Sequence, residues 1–223
     1  MMAEALRSFF LAGPAGRLEA LLNPGAPDAT HAALVCHPHP LFGGTLHNKV
    51  VYGAAKALGS FGFPVLRFNF RGAGLSQGEH DQGRGEQDDV RAALEWLRHE
   101  FHLPVVFCGF SFGAAIGLRV CCAEPDVPLL ISLGTPVHLS SEAGERSYNY
   151  DYLAQCRKPK LLLSGARDQY GPADALRQIV QQAAPPSQLV LIEDADHFFA
   201  GKLLEMRAAL EQWIRTTLAA RPI

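Results

Sequence analysis

A chain of 223 residues, 48% hydrophobic and 19% charged, has the length and apolar content of one globular domain spanning 1–223, able to bury roughly 70% of its unfolded surface. Its net charge of −2 comes without any run of like charge, which excludes a basic stripe for nucleic acid or for an anionic membrane. The longest apolar runs, such as Val105–Phe112, fall far short of the ~20 residues of a membrane span, and Glu4 with Gly13-Pro14 does not fit a secretory leader, so a cytoplasmic protein is expected.

The chain begins with two strand-like pieces, Arg7–Leu11 and Arg17–Leu22, around Gly13-Pro14-Ala15-Gly16; these predict an antiparallel hairpin at one sheet edge. Ala32–Cys36 is the first of six short runs rich in Val, Ile, Leu and Phe; the others are Val65–Phe70, Val105–Phe110, Leu129–Leu133, Lys160–Ser164 and Leu189–Ile192. Runs this short and this uniformly apolar fit strands buried on both faces. Between them apolar residues recur at helical spacing, as in Val90, Ala93, Leu94 and Leu97 and again in Leu176, Ile179, Val180 and Ala183. Asp88 and Asp89 suit the first turn of the former helix, and Pro172 opens the latter where its missing N–H is harmless. Strand alternating with helix predicts an α/β fold, a doubly wound and mostly parallel sheet with the N-terminal hairpin at its edge. Val137–Pro159, polar and rich in Ser, Glu and Tyr, has no place in the alternation and is too short for a second domain. Its Tyr148, Tyr150 and Tyr152 read as exposed loop tyrosines packed on the surface, with a role lining a site as the rival reading. The cysteines, Cys36, Cys108, Cys121, Cys122 and Cys156, are odd in number and lack Cys-x-x-Cys spacing, so free thiols are expected rather than a zinc site or a redox dithiol.

Several loops at predicted strand ends carry chemistry. After Leu34-Val35-Cys36 comes the loop His37-Pro38-His39-Pro40-Leu41-Phe42-Gly43-Gly44, in which neither proline has an N–H to offer. A metal on His37 and His39 would lack further ligands nearby, and hydrogen-bonded loop histidines are the plainer reading. Arg71-Gly72-Ala73-Gly74 fails as a dinucleotide loop because the third glycine, Gly78, is out of register and Glu79–Glu86 is too polar and Gly-rich for the helix that meets a pyrophosphate. No cofactor is expected, and Arg71 is expected to be structural, paired to a carboxylate.

Gly109-Phe110-Ser111-Phe112-Gly113 lies between the strand-like Val105–Cys108 and the helix-like Ala114–Cys122. Strand, sharp turn and helix around such a motif resemble the nucleophile elbow of the α/β-hydrolase superfamily, with small residues flanking a strained serine. The resemblance implies Ser111 as nucleophile, the backbone N–H of Phe112 as one oxyanion donor, assisted by the positive end of the helix dipole, and a second donor from the loop after the early strand, where with no N–H on Pro38 or Pro40 the backbone of His39 is expected, with Leu41 in reserve. Alone, the motif could be a turn whose serine merely caps a helix. A hydroxyl needs a base, and His197, in Asp194-Ala195-Asp196-His197-Phe198-Phe199 after the last strand, stands where α/β-hydrolases carry theirs. Asp168, in Gly165-Ala166-Arg167-Asp168, fits the carboxylate that orients the imidazole, with Asp194 and Asp196 as fallback acids. Each residue alone reads as a turn former or a structural group. Together they lie beyond strand ends on one sheet edge in the order Ser, Asp, His.

Joined with the His-Pro-His-Pro loop and the Arg71 loop, these motifs look like a small bacterial α/β-hydrolase without a cap domain, related to the dienelactone-hydrolase-like branch, over residues 5–218. Dienelactone hydrolases carry Cys as nucleophile, so Ser111 removes their lactone substrate from the expectation. The resemblance implies a serine hydrolase acting on a small-molecule ester. With only Val137–Pro159 available as a lid, an open site preferring short acyl or small activated esters is expected. Thioester or amide hydrolysis and acyl transfer use the same steps. The alternative of another class is a non-catalytic protein of this fold that binds a ligand or partner.

Overall fold

The computed structural model describes residues 6–141 and 144–220. Strands β1 (Arg7–Gly13) and β2 (Gly16–Asn23) form the expected antiparallel hairpin, and β2 pairs antiparallel with β4 (Val65–Phe68). Beyond β4 every pairing is parallel, through β3 (Ala32–Cys36), β5 (Val105–Phe110), β6 (Leu129–Leu133), β9 (Lys160–Gly165) and β10 (Ser187–Ile192) in that spatial order.

Helices cover both faces of this sheet. Ala33 and Val35 of β3 pack into the layer holding α1 (Lys49–Gly59) and α5 (Leu203–Ala219). Their neighbours Ala32, Leu34 and Cys36 point the other way, into the layer of α2 (Gly85–Phe101) and α3 (Phe112–Cys121), which α4 (Ala173–Gln182) joins through Ile179. Two-sided burial is why these strands are mostly apolar instead of alternating, with Arg67, Ser132, Lys160 and Ser164 as buried polar exceptions. Each Val, Leu, Ile or Phe side chain of these strands contributes about 1.5–3 kcal/mol when taken fully out of water, so the central strands anchor the loops at their ends.

Four boundaries differ from the sequence expectation. Strand β4 ends at Phe68, and Asn69 beyond it ties loops together: its backbone N donates to Glu19 O at 2.8 Å, its Oδ1 accepts from Leu46 N at 2.7 Å and its Nδ2 donates to Glu19 Oε2 at 2.6 Å. Helix α2 starts at Gly85, inside the stretch that looked too polar and Gly-rich for a helix, and Asp89 turns inward from it rather than serving the helix terminus. Pro172 is the residue before α4, with φ −56° and ψ 139°, not its first helical residue. The polar stretch after β6 contains a small hairpin, β7 (His138–Ser141) with β8 (Gly144–Ser147), and a single 3-10 turn at Asp151–Gln155. No cap domain is built there among the described residues. Tyr150 is buried rather than exposed, its hydroxyl donating to Pro136 O at 2.7 Å, and Tyr152 packs beside it on the core. All five cysteines are unpaired thiols. Among the described residues, no helix is long and apolar enough to cross a membrane.

Candidate active site

Ser111 occupies the turn from β5 into α3 with φ 54° and ψ −120°, a backbone conformation that costs a non-glycine residue about 1–3 kcal/mol. The turn is held on both sides: Ser111 N donates to Leu133 O at 2.9 Å, and Ala115 N donates to Ser111 O at 3.0 Å. Both flanking glycines are required sterically. A β-carbon on Gly109 would lie 2.6 Å from the backbone of Ala114, and one on Gly113 would run into the carbonyl of His37. The elbow thus closes α3 directly against the ends of β3 and β5.

The loops after β9 and β10 bring the other two residues to Ser111. His197 Nε2 lies 3.0 Å from Ser111 Oγ, and His197 Nδ1 lies 2.8 Å from Asp168 Oδ2. Asp168 is held by three further donors, Ser164 Oγ at 3.0 Å on Oδ2 and the backbone N–H groups of Tyr170 and Gly171 at 2.9 and 3.2 Å on Oδ1. A carboxylate only accepts, so Nδ1 donates to Asp168 and Nε2 is left to accept from the Ser111 hydroxyl. The ring of His197 is boxed by Tyr170 at 4.7 Å and by Phe110 and Phe198 at 5.1 Å between centroids. Asp168 and His197 are 4% and 5% exposed, so bulk water does not compete for these bonds. The arrangement can move the Oγ proton to Nε2 and hold the resulting imidazolium against a carboxylate.

The fallback acids are engaged elsewhere. Asp194 pairs with Arg167 on the surface, and Asp196 Oδ1 accepts from the N–H groups of Phe198 and Ala200, shaping the turn that presents His197. His39 heads a short 3-10 turn, Pro40–Phe42, and its Nδ1 accepts from Leu41 N at 3.3 Å, which engages the N–H of the reserve donor. Phe112, the first residue of α3, packs its ring on His39 at 4.7 Å, so the two residues expected to present oxyanion donors are in contact. Both nitrogens of His37 are committed to the backbone, Nδ1 to Pro38 O at 2.6 Å and Nε2 to Phe70 N at 2.9 Å. Burial holds its ring well below the usual range, at about 4. Arg71 meets Asp89 through its backbone N at 3.0 Å, Nε at 3.0 Å and Nη2 at 2.8 Å, the carboxylate pairing expected of it.

Ser111 Oγ and His197 open onto a cleft of about 290 Å³. One wall comes from the β3 loop, with His39, Phe42, Gly43 and Gly44; the other comes from Pro136, Tyr148, Tyr170 and Phe198. No Asp, Glu, Lys or Arg lines it among the described residues. Sequence reasoning missed Tyr170, Phe42 and Ser164. Ser164 carried a signal, a hydroxyl at the end of the apolar run Leu161-Leu162-Leu163, just where a strand hands over to a loop.

A family model described as an alpha/beta hydrolase domain matches residues 42–220. The chain belongs to the α/β-hydrolase family. This α/β-hydrolase is 36% identical over 211 residues to an uncharacterized protein of Rickettsia prowazekii, which covers 92% of this chain and 87% of that one. It superposes on an alpha-beta serine hydrolase homologue from Coxiella burnetii with a TM-score of 0.83 at 37% identity, covering 95% of this chain and 98% of the other. A Xanthomonas campestris serine hydrolase of this fold, described as without lid, gives a TM-score of 0.80 at 35% identity over 100% and 99% of the two chains. These matches fix the superfamily and do not single out its dienelactone-hydrolase-like branch.

Proposed function

We propose that this α/β-hydrolase cleaves small, short-acyl carboxylic esters through an acyl-enzyme on Ser111. The observation that carries the reading is the unbroken run of hydrogen bonds from Ser111 Oγ through His197 to Asp168 at the floor of a cleft. His197 Nε2 takes the hydroxyl proton as Oγ bonds to the ester carbonyl carbon, and the oxyanion that forms turns toward the backbone N–H groups of Phe112 and His39. Asp168 holds the imidazolium. The tetrahedral adduct collapses, the C–O bond to the alcohol breaks, and the alcohol leaves with the proton from Nε2–H. Water then enters, gives its proton to His197 and attacks the acyl carbon, and collapse of the second adduct releases the acid and restores Ser111.

The lining supports the choice of substrate. A chamber of about 290 Å³ suits a short acyl group, and a wall without Asp, Glu, Lys or Arg has nothing to pair a charged one. The rims Phe42 and Phe198 are 55% and 52% exposed, leaving apolar surface for an acyl group to cover. Five unpaired thiols suit the reducing cytoplasm, where we place the protein.

The test is hydrolysis of p-nitrophenyl acetate, butyrate and decanoate by the wild type and by Ser111→Ala, with fluorophosphonate labelling of both. Turnover and labelling are expected in the wild type and absent in the variant, with kcat/KM falling from butyrate to decanoate. Higher kcat/KM on decanoate would overturn the short-acyl assignment. A wild type that neither turns over nor labels would make the ligand-binding reading the correct one.

A further inference from the structure

Beyond Tyr148 the protein has a second, larger depression of about 870 Å³, and Tyr148 lines both it and the catalytic cleft. Its position relative to His197 is set by the backbone. Tyr170 packs on the His197 ring, and its carbonyl accepts from Val137 N at 2.7 Å and from His138 N at 3.2 Å. Val137 O in turn accepts from Tyr148 N at 3.0 Å. Val137, His138 and Tyr148 are all walls of the second depression, so these backbone bonds tie its wall to the His197 side of the cleft, with Tyr148 shared by both.

That side is where the alcohol half of an ester must lie. The departing oxygen receives its proton from His197 Nε2 and has to sit within hydrogen-bond reach of it, so the alcohol extends over the Tyr170 and Tyr148 wall. What it meets there differs in character from the aromatic catalytic cleft. Gln178 and Gln182 stand one turn apart on α4, exposed, and their amides make no hydrogen bond to any described residue. Asn149 Nδ2 donates to Asp151 Oδ2 at 2.7 Å, and His138 Nδ1 lies 3.1 Å from Ser147 Oγ, adding further polar groups on the same surface. No Lys or Arg lines the groove among the described residues, so nothing there would pair a phosphate or carboxylate. An alkyl chain would desolvate amides without satisfying them. Amides, a hydroxyl, an imidazole and the Asp151 carboxylate, which accepts from hydroxyls, beside a tyrosine ring match a ligand with many hydroxyls and a C–H face.

We propose that this groove receives the alcohol half of the substrate and that this half is a neutral polyol such as a sugar ring, an assignment that rests on the serine-hydrolase reading above. The test compares acetate release from 6-O-acetylglucose and from n-hexyl acetate, which share the acyl group, with p-nitrophenyl acetate as a common reference. The expected result is a kcat/KM at least about tenfold higher for the sugar ester, the worth of one well-made hydrogen bond. In Gln178→Ala/Gln182→Ala, altered only at exposed positions of α4, that preference should fall toward parity. Equal or better use of hexyl acetate by the wild type overturns the proposal, as does a preference untouched in the double variant. Either of those results, obtained with an enzyme that still hydrolyses p-nitrophenyl acetate and takes the fluorophosphonate, leaves the serine-hydrolase reading standing. Loss of turnover on every ester together with absence of labelling overturns both.

Discussion

His37 stands at the head of the loop that walls the cleft, and its carbonyl is what leaves no room for a β-carbon at Gly113. Its ring is fully buried, donating to Pro38 O and accepting from Phe70 N–H, and both bonds are made by the neutral imidazole. Burial lowers its pKa to about 4, outweighing the Pro38 bond that favours the charged form. In the unfolded chain the same ring titrates near 6.5. Between those values the unfolded state binds a proton that the native state refuses, so the contribution is fully present above 6.5 and is lost as pH falls toward 4. The loss amounts to about 3 kcal/mol. Urea unfolding at pH 7.0 and pH 4.5 should show a drop in the wild type that is clearly smaller in His37→Asn; equal drops would refute the assignment. The residue type and its loop were legible in the sequence. The partner Phe70, 33 positions away, was not, because the bond depends on β3 and β4 lying side by side.

Loops between elements are tethered by carboxylates of α2, one of which, Asp89, a linear reading gave to the helix dipole. Asp89 faces inward from α2 and accepts from three donor groups of Arg71, while Glu86 Oε1 and Oε2 accept from the N–H groups of Asp81 and Gly83 at 2.8 and 2.7 Å. Glu86 also lies 2.7 Å from His80 Nδ1, and the His80 ring packs on His39 and Phe112, so this tether reaches the back of the loop after β3. Arg71→Ala would leave Asp89, whose side chain is 0% exposed, charged and unpaired at a cost of about 3–5 kcal/mol. Adding Asp89→Asn should recover part of that cost in a denaturant double-mutant cycle. Strictly additive losses would mean that the two residues do not act as a pair. That Arg71 would find a carboxylate was legible from its place in the sequence; which one was not, since only the inward turn of α2 singles out Asp89 over its neighbour Asp88. The β7 and β8 hairpin escaped for a different reason. Residues 138–147 lack both the apolar run of a buried strand and the alternation of a half-buried one.

At the scale of the molecule, the parallel sheet was legible because strands covered on both faces are mostly apolar, with few polar positions such as Ser132 and Ser164 to blur them. The three residues of the hydrogen-bonded run were legible because each follows such a strand on the same edge. The walls of the cleft were not, since Phe42, Tyr148 and Tyr170 come from loops whose course is set by packing. The sheet does not support those three residues equally. Ser111 follows β5, flanked by β3 and β6, whereas His197 follows β10, which hydrogen-bonds only to β9 at the margin of the sheet. Marginal strands are the first to open in sub-global fluctuations, so amide exchange should be faster in β10 than in β5. Under mild denaturant the placement of Ser111 should therefore outlast that of His197. Fluorophosphonate labelling would fade while far-ultraviolet circular dichroism is still native, and coincident loss of the two signals would show that the sheet opens as a single cooperative unit.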